Sequence, residues 1–311
     1  MEPVANSSEA CIRHGRQFHR TDGNYSLPND EKEFNRLNDQ FQALKLIAGS
    51  NYTAPLPQLN SGEGPKDILD IATGSGIWVI ELAREFSQAR VVGIDLSKPG
   101  FFGQGVPQNA SFIVADITKR LPFEDASFDV VQMRIVPSIT ERTSLYQEIH
   151  RVLRPGGIIQ LVEAHLIASR KGVRPPALKD INKAVARGGF MYQDGNKPPL
   201  DENGKPEFWF MASRIAPALR AAPSIWTNVS EKQIRVPVGV WASDEVGQEA
   251  GRLMKRQIVE MYKGLRPNVI DVGGMGTDEV DELIARLADE LEDGPKWELE
   301  LPYEFIWAAK A

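Results

Sequence analysis

From residue 67 onward the chain alternates short apolar runs of strand length with stretches whose apolar positions recur at helical spacing. The first run, 67–72, passes through the small residues Thr73-Gly74-Ser75-Gly76 into Trp78, Val79, Ile80, Leu82, Ala83 and Phe86, which continue as a helix. Further strands are expected at 90–95, 111–115, 128–133 and 158–164. Before the last of these, a helix over 139–153 places Leu145, Ile149, Val152 and Leu153 on one side and stops at Pro155-Gly156-Gly157. Alternation of this kind builds a mostly parallel sheet with helices on both faces. The stretch 97–110 departs from it, because Pro99, Gly100, Gly103, Gly105 and Pro107 forbid a full helix and predict an ordered loop.

The flanks read differently. The first twenty-odd residues are polar and predict a loose arm. Asp30 and Glu33 then have capping-box spacing ahead of Phe34, Leu37, Phe41, Leu44 and Ile47, the apolar stripe of a helix packed on the main domain. Residues 51–66 carry Pro, Gly, Asn and Ser and predict a linker. Beyond 165, helices are expected at 177–187 and 210–221, around a Gly-, Pro- and Asn-rich excursion over 188–206. A strand at 226–238, a long helix over 244–264, a glycine break at 273–276 and a helix over 277–292 follow. The closing alternation over 296–307 predicts a last strand, with Pro302 at a bend or edge. The expected division is an N-terminal arm and helix over 1–60, then one domain over 61–311 with lid insertions around 166–225 and 244–292.

Composition narrows the function classes. Charged residues make up 25% of the 311, the net charge is −6 and the isoelectric point is near 5.4, which argues against nucleic-acid or acidic-membrane partners. No apolar run reaches membrane-spanning length and the first residues lack a signal-peptide core, so a cytoplasmic residence is expected, with the nucleus left open. Cys11 is the single cysteine, which removes an intramolecular disulfide and a Cys-based zinc cluster.

The chemistry gathers at the first glycine turn. A turn of this kind lets a ligand approach the backbone and meet the positive end of the following helix. A dinucleotide fingerprint wants a third glycine, and that position holds Val79. Instead Asp70 stands within the first strand, four residues before Gly74, and Asp95 closes the second strand nineteen residues after Gly76. That distance suits a carboxylate holding ribose hydroxyls. Asp116 ends the third strand, where it would accept from an adenine amino group beside the Ile117 amide. This order of acids and turns points to S-adenosylmethionine (SAM) and away from a nicotinamide cofactor.

The order Asp70-x-x-x-Gly74-Ser75-Gly76, Ile94-Asp95, Ala115-Asp116-Ile117, Phe128-Asp129 and Leu153-Arg154-Pro155-Gly156-Gly157 resembles the class I SAM-dependent methyltransferases. It is similar, more narrowly, to the fungal LaeA-like methyltransferases through Gly15-Arg16-Gln17-Phe18-His19, Tyr25-x-Leu27-Pro28-Asn29-Asp30, Glu33-x-x-Arg36-Leu37, Ala54-Pro55, Val106-Pro107-x-Asn109 and Arg134. The resemblance covers roughly 15–165 well and the remainder in architecture. It implies an α/β, Rossmann-like, seven-stranded sheet with an antiparallel last strand, an N-terminal helical arm, helical lids, and SAM as methyl donor. It further places Phe18, Tyr25, Ala72, Leu96, Gln132, Met133 and Arg134 near the cofactor. Ala72 stands where the broader class often has glycine, and Gln132-Met133-Arg134 replaces a common His-x-Arg, so no role of that histidine carries over.

Methyl transfer from a sulfonium depends mainly on in-line positioning, worth roughly 7–11 kcal/mol. A neutral hydroxyl acceptor gains from a base by roughly 10²–10⁴-fold, whereas a carboxylate needs none. His165, just past the fifth strand, is the expected auxiliary base, with Glu163 orienting it or binding substrate. No acid pair follows the fourth strand, so a divalent-metal site is not expected. Phe190, Tyr192, Trp209 and Phe210, with Met191, Phe208 and Met211, predict an apolar acceptor lid for a flat or terpenoid secondary metabolite, methylated at a hydroxyl or carboxylate. A small-molecule acceptor is the expected partner, and self-association stays open. Two other readings also stay open: a LaeA-like SAM-binding regulator, and a methyltransferase fold catalysing another reaction such as a cyclisation.

Overall fold

The computed structural model describes residues 10–19, 25–99, 105–136, 142–188 and 211–311. In chain order its elements are β1 (Ala10–Arg13), β2 (Arg16–His19), α1 (Glu31–Ala48), a 3₁₀ turn (Leu56–Gln58), the single turn α2 (Leu59–Gly62), β3 (Asp67–Ile71), α3 (Ile77–Glu85), β4 (Arg90–Asp95), β5 (Ala110–Val114) and β6 (Phe128–Arg134). Then come α4 (Thr143–Val152), β7 (Leu153–Ala164), β8 (Ala168–Ser169), α5 (Pro176–Arg187), α6 (Met211–Arg220), β9 (Trp226–Val238), α7 (Glu245–Asp271), α8 (Thr277–Glu290), the single turn α9 (Gly294–Trp297) and β10 (Leu299–Lys310).

Strand pairing follows β5-β4-β3-β6-β7-β10-β9, and the short β8 continues the β7 lane beside the start of β10. Among the described residues this makes seven lanes. Strands β3 to β7 run parallel, while β10 lies antiparallel between β7 and β9. The seven-stranded expectation with an antiparallel last strand therefore holds. Strand order reverses beside β3, where the chain returns from β5 to lay down β6. That reversal opens a crevice at the carboxyl ends of β3, β4 and β6.

Alternate strand positions feed two cores. Ile68, Val91, Val130 and Ile158 face Trp78, Val79 and Leu82 of α3 and Phe41 of α1. Leu69, Ile71, Val92, Val131, Met133 and Leu161 face the opposite side, against Leu145 and Ile149 of α4 and Ile215 and Leu219 of α6. Burial on both faces explains why these strands read as continuous apolar runs. A third cluster joins Tyr303 and Phe305 of β10 and Val236 of β9 to α5, α7 and α8. Each fully buried Leu, Ile or Val adds roughly 1.5–3 kcal/mol before entropy is counted.

Three local expectations are corrected. Residues 10–19 do not form a loose arm. They close a hairpin at His14 and Gly15, whose φ values of 47° and 74° suit a two-residue type I′ turn. It is anchored from a distance: Arg13 and His14 both reach Asp271 of α7 at 2.8 Å. The 51–66 stretch is no plain linker, since Ala54 and Leu56 are core residues. Helix α7 continues beyond 264 to Asp271 through Pro267, because Leu265, Asn268 and Val269 are buried there. Asp30 does cap α1, accepting the Glu33 amide at 3.1 Å.

The 244–292 region packs as a layer: α7 lies along α1 and β9, and α8 against α5. Within it Gly251 lies directly against the Gly239 carbonyl oxygen, with no room for a Cβ atom. Gly251→Val should therefore lower the urea-unfolding free energy by about 1–3 kcal/mol. Unchanged stability would contradict this seating of α7 on the end of β9.

Candidate active site

A cavity of about 850 Å³ opens at the carboxyl ends of β3, β4 and β6, with α1 as its opposite wall. That volume lies within the range of small-molecule sites. The turn after β3 forms its floor. Thr73 N–H donates to the Ile94 carbonyl at 3.1 Å, and Gly76 N–H donates to the Thr73 carbonyl at 2.9 Å. Ala72, Gly74 and Gly76 all adopt left-handed backbone, with φ of 56°, 55° and 80°. Glycine takes that conformation freely, which gives a physical reason for glycine where this chain has Ala72. At Gly76 a Cβ would also meet the Phe112 ring at 2.8 Å.

Asp70 is buried below this turn, at 3% exposure. Thr73 Oγ1 donates to its Oδ2 at 2.7 Å and Gln132 Nε2 to its Oδ1 at 3.5 Å. Burial pushes the Asp70 carboxyl up to about 6, against the opposing pull of the Thr73 hydroxyl and the nearby Arg134 charge. Arg134 lies over the Phe41 ring at 5.0 Å, and burial draws its guanidinium down to about 10. Asp95 accepts the Gly74 amide on Oδ2 at 2.8 Å and the Ser97 amide on Oδ1 at 3.3 Å. Burial raises its pKa, and those amides oppose the rise. Asp116 accepts the Thr118 amide and hydroxyl at 2.9 and 2.7 Å on one oxygen.

Of the residues expected near the cofactor, Asp70, Ala72, Gly74, Ser75, Asp95, Leu96, Asp116, Ile117, Arg134 and Tyr25 line the cavity. Four other expected cofactor neighbours do not. Met133 points into the core beneath the sheet, Phe18 is buried under the Arg13 guanidinium, and Gly76 is screened by Phe112. Gln132 is fully buried behind Asp70 and acts on the cavity only through that carboxylate.

The expected catalytic pair also lies elsewhere. His165 Nε2 pairs with Glu304 of β10 at 3.1 Å, and its backbone N–H bonds the Pro302 carbonyl. It stands at the rim of the sheet, but over the β7–β10 lanes, two or three strand spacings of about 4.8 Å from the crevice beside β3. Glu163 is 5% exposed and is engaged by Arg142, which also donates to the Val136 carbonyl at 2.6 Å. Its part is to hold the cavity wall at Val136. The expected substrate residues Phe190, Tyr192, Trp209 and Phe210 lie outside the described residues.

Sequence reasoning missed part of the wall. His19 and Asn29 line the cavity from the N-terminal segment, and Phe34, Leu37 and Phe41 line it from α1. The available signal is the pair of motifs at 15–19 and 25–30, from which the resemblance gives a place near the cofactor to Phe18 and Tyr25 but none to His19 or Asn29. The sequence pattern does not single out Gln160 either. Its Nε2 donates to Gln132 Oε1, and its Oε1 accepts the amides of Thr53 and Ala54 at 3.0 and 3.1 Å.

The donor set suits SAM. The buried Asp70 and half-buried Asp95 carboxylates match its ammonium and ribose hydroxyls, the half-buried Arg134 guanidinium matches its carboxylate, and the turn leaves room for backbone approach. Among the described residues no three His, Cys, Asp or Glu side chains gather as a metal site requires.

Comparison with known proteins agrees with this geometry. Residues 68–157 match the family described as a methyltransferase domain. The chain is 27% identical to the methyltransferase pytC of Aspergillus terreus over 286 residues, spanning 89% of this chain and 81% of that one. It is 29% identical to the N-methyltransferase sirN of Leptosphaeria maculans over 243 residues, 71% and 80% of the two chains. It is 26% identical to the secondary metabolism regulator LAE1 of Cochliobolus heterostrophus over 268 residues, 85% and 82% of the two chains.

Two predictions follow from the buried acid and its support. An ammonium group on the ligand favours ionised Asp70, so affinity for S-adenosylhomocysteine (SAH) should fall as pH drops through about 6. The sign reverses for the ligand-free chain, whose folded state gains relative stability as that carboxyl takes its proton. Calorimetric titrations between pH 5 and 8 check the first, and Asp70→Asn should remove the step. Gln160→Leu strands two backbone amides and should cost roughly 1–3 kcal/mol in chemical unfolding. Parent-like stability would refute the support role.

Proposed function

We propose that this chain, a class I SAM-dependent methyltransferase, methylates an oxygen, hydroxyl or carboxylate, of a small apolar metabolite. The observation that carries the reading is the division of one cavity between two chemistries. Asp70, Asp95 and Asp116 occupy the strand ends, and Phe34, Leu37 and Phe41 of α1 form the facing wall. SAM, when bound, supplies an electrophilic methyl group on a sulfonium.

The residues of this chain have a smaller but necessary part. Asp70 and Arg134 hold opposite charges at the end of β3 and β6, matched to an amino-acid zwitterion. Asp95 offers its remaining lone pairs to hydroxyls. Leu37 lies against Gly74, where a Cβ would come within 2.9 Å of its Cδ1. That contact keeps water from the floor of the cavity and orients an apolar acceptor toward the donor. A carboxylate or acidic enol held there needs no base, so positioning supplies most of the rate.

The relatives leave two competing readings with specific support. The likeness to sirN favours a nitrogen acceptor, and the likeness to LAE1 favours a regulatory protein. A cytoplasmic enzyme acting on a free small molecule is the reading that an acidic chain with an apolar cavity supports best. No described helix is long and apolar enough to cross a membrane.

The test is turnover of labelled SAM with a panel of flat and terpenoid alcohols, carboxylic acids and amines. A methyl ether or ester is expected, at a rate unchanged by EDTA. Transfer confined to amines would overturn the oxygen acceptor. Tight SAM binding with no transfer to any panel member would favour the regulator. Loss of activity on chelation, restored by magnesium, would refute metal-independent positioning.

A further inference from the structure

We propose that Asn29 and His19 join Asp95 as the wall that recognises the two hydroxyls of the nucleoside ribose, which makes the N-terminal hairpin part of the cofactor site. The inference rests on reading the cavity as the SAM site, and its test separates the two.

Asn29 is only 9% exposed, lines the cavity, and its Oδ1 has no hydrogen-bond partner among the described residues. Leaving a buried amide oxygen unmatched is costly, so a donor from within the cavity is the natural partner. The amide nitrogen of the same side chain meets His19 Nδ1 at 3.4 Å. With that nitrogen as donor, a neutral His19 carries its proton on Nε2. Burial lowers the His19 pKa and the Asp95 charge opposes the shift, so the ring lies within electrostatic reach of Asp95.

A vicinal diol offers two O–H donors and two acceptor oxygens. Asp95 keeps free lone pairs on both oxygens beyond the amides of Gly74 and Ser97. Asn29 Oδ1 adds a second acceptor, and His19 Nε2–H adds a donor to a hydroxyl oxygen. Carboxylate, amide and imidazole thus supply both halves of what a diol needs. A ligand without these hydroxyls leaves the same three groups unmatched.

The arrangement is braced from outside the cavity. Asn29 N–H donates to the Gln17 carbonyl at 2.8 Å, which ties it to β2. Arg16 grips Asp30, the cap of α1, through two bonds of 2.6 and 2.8 Å. Arg13 fixes the far end of the hairpin to Asp271 at 2.8 Å. The hairpin is thereby held at α1 and at α7, with His19 and Asn29 presented between them.

Calorimetry on the full chain, with SAH and its 2′-deoxy and 3′-deoxy analogues as probes, tests the assignment. Asn29→Ala and His19→Ala should each weaken SAH by about 3- to 10-fold, the worth of one or two neutral hydrogen bonds. Against the deoxy analogue that lacks the matching hydroxyl, the same variants should lose little further. Equal losses for SAH and both analogues would reveal a merely structural role and overturn the proposal, as would no loss at all. Should Asn29→Ala fail to fold, His19→Ala carries the comparison alone. Asp95→Ala is the separate arm. If it weakens SAH while the other two variants bind as the parent does, only this proposal falls. If Asp95→Ala binds as the parent does, the cofactor site itself has been misplaced.

Discussion

One transverse row of buried polar groups governs the rest of the structure. Asp70, Gln132 and Gln160 stand side by side in register on β3, β6 and β7. They are 3%, 0% and 0% exposed. A carboxylate and two amides in an apolar sheet are tolerable only if every member is satisfied. Here the row is closed at both ends, by the Thr73 hydroxyl on Asp70 and by the amides of Thr53 and Ala54 on Gln160. The glycine turn, the strand below it and the segment beyond α1 are therefore held by one chain of hydrogen bonds. Asp70 is thereby joined through hydrogen bonds to the backbone of residues 53 and 54.

The cover of the cavity is built from charge in a similar manner. Glu33 lines the cavity while Arg36 engages it through two bonds of 2.9 and 2.6 Å. Arg36 also donates to Gln257 of α7 at 3.0 Å, which locks α1 onto the long helix. A buried ion pair of this kind contributes little net stability against an apolar substitute, but breaking one partner is strongly destabilising. Its value is geometric: it fixes the rotation of α1, so that Phe34, Leu37 and Phe41 face the strand ends.

Backbone strain gathers in the same place. Ala72 and Ile135 follow β3 and β6, both line the cavity, and both adopt left-handed φ, at 56° and 47°. For a β-branched residue such as Ile135 that conformation is a marked outlier. Each is held by ordered neighbours. Ile135 N–H donates to the Val162 carbonyl at 2.8 Å, and the residue after Ala72 bonds to β4. Strain supported in this way turns the chain at the strand ends, where Thr73, Gly74 and Val136 directly after these residues line the cavity.

The parallel sheet, the glycine turn and the acids at 70, 95 and 116 were legible from residue order alone. They are local: strand periodicity, turn chemistry and spacing within a βαβ unit carry all the information. The carboxylate row was half legible, since Asp70 drew attention while Gln132 and Gln160 look like any polar residue in a strand. Only register places them abreast. The hairpin at 10–19 was illegible in part because one of its anchors, Asp271, lies more than 250 positions away, and no local pattern encodes such a contact. The surroundings of His165 were legible only in part. Chain order puts it at the sheet's rim, but its pairing with Glu304 depends on β10 entering between β7 and β9. What the sequence by itself determined was the fold class, the cofactor and the strand-end acids, because neighbouring residues dictate them. Which histidine faces the cavity, which glutamate is tied up in an ion pair and which helix walls the cavity were settled by tertiary packing, where distant segments compete for the same buried space.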